Sequence, residues 1–210
     1  MTRTALALLA AAGALLLSGA AQGKAPPTGM DVCGVARCVH VGWQDAEQFW
    51  VRAGEAGRPT AAAPFYVLRW HFDAEPEQSA YYVPATSAMR WVSPSGWGAV
   101  SREAAAALQQ PLGTIEPYPT PTLTYVTVGR RVARQPQTYL RLLEGKPTAT
   151  FPATEWLRVT LRSVDASPWT NGAALIRLGK TSPHVVVDGW TFRIPPAIAK
   201  RARRGLSLGG

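Results

Sequence analysis

Short runs in which apolar and polar residues alternate fill much of the chain beyond residue 37. Alternation at period two is the mark of a strand with one buried face. In a first stretch it occurs at residues 38–41, 65–72, 80–84 and 89–92; in a second, at 125–128, 156–163, 173–178 and 184–187. Helical spacing appears between these runs. Asp45 stands as an N-cap with Gln48 three residues on, and Ala46, Phe49, Trp50 and Ala53 follow at helical intervals until Gly54 and Gly57. In the second stretch Pro136 sits at a first helical position, Tyr139, Leu140 and Leu143 form the stripe, and Gly145 ends it. Closing helices are expected over 101–110 and 195–204. The second of these has Ile194, Ala197 and Ile198 on its inner side, with Lys200, Arg201, Arg203 and Arg204 in the last turns, where cations complement the helix dipole.

Each stretch therefore reads strand, helix, three strands, helix, with matched positions about 87 to 95 residues apart and a tryptophan, Trp97 or Trp190, before each closing helix. Residues 117–121 (Pro-Tyr-Pro-Thr-Pro) form a stiff extended connector. The expected fold class is α+β: duplicated β-α-β-β-β-α halves, 24–116 and 124–210, joined at 117–123 into one antiparallel sheet with helices on one face. Over residues 38–205 this element order resembles the TATA-binding-protein fold, with one strand fewer per half. The resemblance is one of topology, shares no motif, and implies neither site residues nor DNA binding. The strings Cys-Gly-Val-Ala-Arg-Cys (33–38), Tyr-Tyr-Val-Pro (81–84) and Pro-Trp-Thr (168–170) resemble those of uncharacterised exported proteins of high-GC Gram-positive bacteria. That likeness implies a compartment and no activity.

The first 23 residues point to the same compartment. Arg3 precedes an apolar run over 5–17 broken only by Gly13, and small residues follow at 18–21 and 23. This is the pattern of a secretory signal peptide, too short for a span of about 20 residues. No later run is long enough to cross a bilayer, so a secreted or envelope-associated protein without a transmembrane segment is expected. Export favours oxidation, and Cys33 and Cys38 are expected to form a disulfide that pins the N-terminal segment at the start of the first strand.

The formal charge is +9, and 18 of the 22 basic residues are arginine. Together with a single asparagine and abundant Ala, Gly and Pro, this is partly a coding bias of GC-rich genomes. It still draws the protein to anionic partners. Strand parity then sorts the side chains. With the aliphatic residues turned toward the helices, the open face carries His40, Arg69, His71, Tyr82, Tyr125, Thr127, Arg158, Thr160, Arg162 and Arg177. An antiparallel sheet ordinarily has such a solvated polar face. The sharper reading is an anion-binding surface made by Arg69, His71, Tyr82, Arg158, Arg162 and Arg177, because guanidinium groups fork onto carboxylate or phosphate.

Catalysis has less support. There is no G-x-S-x-G turn, and Ser182, His184 and Asp188 lie too far apart along a strand for direct bonds. Asp73, Glu75 and Glu77 occupy a loop. The three histidines, separated by 31 and 113 residues, give no metal-ligand spacing, and no cofactor motif is present. Trp169, in a loop with an Asn-Gly turn signal, either contacts a sugar or folds back onto the sheet. The expected function is non-catalytic binding of an anionic envelope polymer, glycan or acidic protein, with nucleic acid not the physiological partner. An envelope-directed hydrolase and a structural partner protein are the alternatives.

Overall fold

The computed structural model describes residues 26–46, 59, 61–92, 96–144, 148, 156–170, 174–179, 183–187 and 190–207. The expected signal peptide, the body of the helix around Phe49 and Trp50, and the side chain of Trp190 lie outside them. The fold is α+β, built from two antiparallel six-stranded sheets with few helices. The single continuous sheet expected from the alternation is thus corrected to two.

In the first sheet β1 (Gly29–Cys33), β2 (Cys38–Gly42), β3 (Tyr66–His71), β4 (Gln78–Val83), β5 (Ala88–Trp91) and β6 (Gly96–Ala99) lie in the order β2-β1-β3-β4-β5-β6. A short helix α1 (Trp43–Ala46) follows β2, and α2 (Arg102–Ala107) and α3 (Gln109–Leu112) follow β6. In the second sheet β7 (Leu123–Val128), β8 (Arg131–Val132), β9 (Leu157–Ser163), β10 (Ala174–Arg177), β11 (His184–Val187) and β12 (Trp190–Arg193) lie in the order β8-β7-β9-β10-β11-β12. A 3-10 helix (Pro136–Leu143) follows β8, and α4 (Pro196–Ser207) closes the chain. Read from matching edges, the two sheets have the same connectivity. Each half carries two strands more than the alternation predicts. The extra strands are β1, β6, β8 and β12, and the counterpart of β7 is β1 rather than the run at 38–41.

Parity sorts most positions inside each sheet as expected, Tyr82 being an exception. Met30, Val32, Val41, Tyr66, Leu68, Trp70 and Ala80 point to one side and pack against Ala104 and Leu108 of the α2 region. Ser101 caps α2, its hydroxyl accepting from the Ala104 N–H at 3.1 Å. In the second sheet Val126, Val128, Val159, Ile176 and Val185 pack against Tyr139, Leu140, Ile198, Ala199 and Ala202 of the helices. Burial pushes the Tyr139 phenol up to about 12.

The other face of the first sheet is divided. At its β4–β6 end the row Tyr81, Arg90 and Trp97 is covered, because Trp169 from the β9–β10 connection folds back onto it. Trp169 lies 6.2 Å from Phe65 and 5.9 Å from Trp97 between ring centroids, and is 3 % exposed. Arg90 is buried and donates to the Pro168 carbonyl. The connector is pinned as well: Phe65 and Tyr118 exchange two backbone hydrogen bonds, and their rings stack at 5.3 Å. At the β2-β1-β3 end the same face stays open.

Cys33 and Cys38 are disulfide-bonded and directly opposite one another in the β1–β2 hairpin. The bond therefore closes a hairpin between two strands, where it was expected to pin the N-terminal segment at the start of the first strand. Segment 114–116 lies over the hairpin tip: Val35 N–H donates to the Glu116 carbonyl, and a Cβ on Gly34 would meet that oxygen at 1.9 Å. Replacing both cysteines with serine should lower stability by about 2 kcal/mol, the small entropic gain of a short loop. Urea melts of the oxidised protein and the double variant check this, and equal midpoints would refute it.

Candidate functional site

The six expected ligand residues do not share a surface. Arg69 and His71 lie on the first sheet; Arg158, Arg162 and Arg177 lie on the second. Tyr82 is corrected outright. It is opposite Tyr66 in the β3–β4 register, so it shares the face of Tyr66, Leu68 and Trp70 and is 2 % exposed. Burial raises its phenol pKa, which suits a core position and not a contact surface.

On the second sheet Arg158, Thr160 and Arg162 do project from one side of β9. Arg162 is opposite Tyr125, with its guanidinium carbon 5.9 Å from the ring centroid. Arg158 is opposite Leu175, which is exposed. Arg177 is half-buried and opposite His184, whose own partner on β12 is Arg193. The charge is also unevenly placed along the chain. Residues 124–210 hold 14 Lys and Arg against 4 Asp and Glu, whereas residues 24–123 hold 7 against 9.

A groove of about 380 Å³ lies in this basic half. Arg134 and Gln135, before the 3-10 helix, form one side, and Ala197, Lys200, Arg201, Arg204 and Gly205 of α4 form the other. Alternation could not reveal it, since it joins a loop to a helix. The signal available in sequence was the Lys-Arg-x-Arg-Arg cluster, which the helix dipole also explains. Arg203 is engaged elsewhere, donating to the Leu178 and Gly179 carbonyls. Repulsion among the cations lining such a groove is relieved by a bound anion.

The open end of the first sheet presents a different chemistry. Its outward rows are His40–Asp31–Arg69 and Gly42–Gly29–His71 across β2, β1 and β3. His40 Nδ1 lies 2.9 Å from Asp31 Oδ1, and His71 Nε2 lies 3.1 Å from Asp31 Oδ2. The two imidazoles stack at 6.2 Å. Gly29 makes the approach geometrically available, because a Cβ there would meet His40 Cε1 at 2.8 Å. His71 Nδ1 lies 3.8 Å from Glu77, which also lies 3.9 Å from Arg69. Partial burial pushes the Asp31 carboxyl up, but the hydrogen bonds and electrostatic attraction of the neighbouring His40 and His71 side chains outweigh it and hold it below the usual range. His40, Arg69 and His71 were legible as one face; Asp31 was missed because β1 itself was missed.

Comparison of the chain with protein-family models, curated proteins and solved structures finds no match. Among the described residues no helix is long and apolar enough to cross a membrane.

Proposed function

We propose that this chain is an exported, non-catalytic binding protein of the cell envelope or medium, and that its second half takes an anionic polymer, glycan or acidic protein. The observation that carries this reading is the charge partition, which concentrates the net positive charge in residues 124–210. The groove between Arg134 and α4 supplies a concave contact, and the Arg158–Arg162–Tyr125 face of the second sheet supplies a flatter one. Arginine forks match carboxylate and phosphate, and the tyrosine ring adds contact area at low entropic cost. The disulfide suits an oxidising compartment. We read the two halves as an internal repeat on the strength of their shared strand order; the ligand surface belongs to the second copy.

The test is binding to polyglutamate, hyaluronate and polyphosphate at two salt concentrations. Lys200, Arg201 and Arg204 are replaced together by alanine, the residue with the highest helix propensity, so α4 is retained. Affinity for at least one probe is expected to fall by about tenfold or more, with a shallower salt dependence. Arg158→Ala with Arg162→Ala should cost about threefold, the scale of exposed charge contacts. If both sets bind all three polyanions as the parent does, or the parent binds none, the reading is wrong.

A further inference from the structure

We propose that Asp31, His40 and His71 form a binding site for a divalent transition-metal ion of the zinc type. The three side chains offer two imidazole nitrogens and a carboxylate oxygen, and these ligand atoms all lie within 4.8 Å of one another. Zinc takes nitrogen and carboxylate oxygen at about 2.0–2.2 Å, which places tetrahedral ligand atoms roughly 3.4 Å apart. The contacts of 2.9 and 3.1 Å run from the two rings to the two different Asp31 oxygens, and a single set of three ligand atoms spans up to 4.8 Å, so side-chain rotation on binding must draw that set together. Imidazole ligands select zinc, copper and nickel over magnesium and calcium, which prefer oxygen.

The surroundings also fit. Three strands hold the three ligands: β1 carries Asp31, β2 carries His40 and β3 carries His71. The Cys33–Cys38 bond clamps the hairpin that bears two of them. Gly29 is the floor, since any side chain there would push His40 aside. Glu77 faces the His71 nitrogen turned away from Asp31. At 3.8 Å it makes no hydrogen bond to that nitrogen; closing in as the metal binds, it would hold a proton on Nδ1 and leave the Nε2 lone pair to the metal, the service of a carboxylate behind a metal-bound histidine. Arg69 in turn holds Glu77. The His40 side chain is 64 % exposed, so a fourth position is open to water or to a donor atom from a ligand. As the ion enters, the imidazole–carboxylate contacts give way to metal bonds, and a proton on either coordinating nitrogen leaves to solvent.

The experiment is calorimetric titration of the purified, oxidised protein, free of any polyhistidine tag and stripped with chelator, with zinc chloride. One ion per chain is expected in the micromolar range, uncompeted by excess magnesium or calcium. His40→Ala and His71→Ala should each weaken it at least tenfold, and Glu77→Gln about tenfold. Gly29→Ala should weaken it while every ligand remains, and its meeting point is the end of an exposed side chain, so the fold is kept. Zinc affinity unchanged in His40→Ala and His71→Ala, or no binding by the parent at millimolar zinc, overturns the proposal. Polyanion binding involves the other half, so each proposal can fail without the other.

Discussion

Trp169→Ala is expected to lower the stability of the protein by about 3–5 kcal/mol, the range for removing a buried aromatic from a packed core. The indole is 3 % exposed and lies between Phe65 and Trp97 of the first half, although the chain delivers it from the second. The larger of the two hydrophobic clusters includes residues from both halves, and Trp169 sits where they meet. Its loss also exposes Arg90, whose guanidinium reaches the neighbouring Pro168 carbonyl. Arg90 and Trp169 substitutions should therefore combine non-additively. Guanidinium melts followed by circular dichroism measure the effect. A loss below about 1 kcal/mol would show that this loop does not cover the first sheet as described.

Trp70→Ala should cost a similar amount, about 3–5 kcal/mol, by a different route. Trp70 is fully buried on the helix side of the first sheet, with its ring 4.6 Å from that of Trp91. Among the described residues its cluster draws on the first half alone, running from Met30 to Ile115. The larger cluster, which the second sheet shares with Phe65, Tyr81 and Trp97, does not include Trp70. Unfolding should accordingly broaden or split, with the probes of the first sheet leaving ahead of total helix and strand signal. A single sharp transition at the parent midpoint would contradict the separation of the two clusters.

The eight alternating runs all became strands; most bury an apolar side and leave the other to solvent, while β4, β5 and β11 are buried on both sides over much of their length. Three of the four strands that alternation misses have physical reasons for their silence, whereas β12 reads Trp-Thr-Phe-Arg and does alternate. β8 is two residues long, β6 contains two glycines, and β1 reads Gly-Met-Asp-Val-Cys, with a glycine and an aspartate on its outward side. The helix expected from Pro136 is a 3-10 helix, and the one expected at 101–110 is split between α2 and α3 near Pro111. Sheet closure was the larger miss. Parity fixes which side of a strand is apolar, but not whether two sets of strands share an edge.

The site was legible to the same depth. Period two placed His40, Arg69 and His71 together correctly, since they lie on neighbouring strands of one sheet. It could not join them to Arg158 and Arg162, because parity within one sheet says nothing about a second. Tyr82 failed for a narrower reason. Tyr81 and Tyr82 are chemically interchangeable at the sequence level, and only the pairing of Tyr82 with Tyr66 decides which one enters the core. Trp169, by contrast, followed its apolar bulk back onto the sheet. Asp31 could be paired with the histidines only once β1 was known to lie between their strands.

The hairpin bond between Cys33 and Cys38 simplifies biogenesis. The chain has two cysteines, five positions apart, and they face each other across a turn. These 210 residues offer no wrong partner, so closing this bond calls for an electron acceptor and not for a catalyst that reshuffles mispaired thiols.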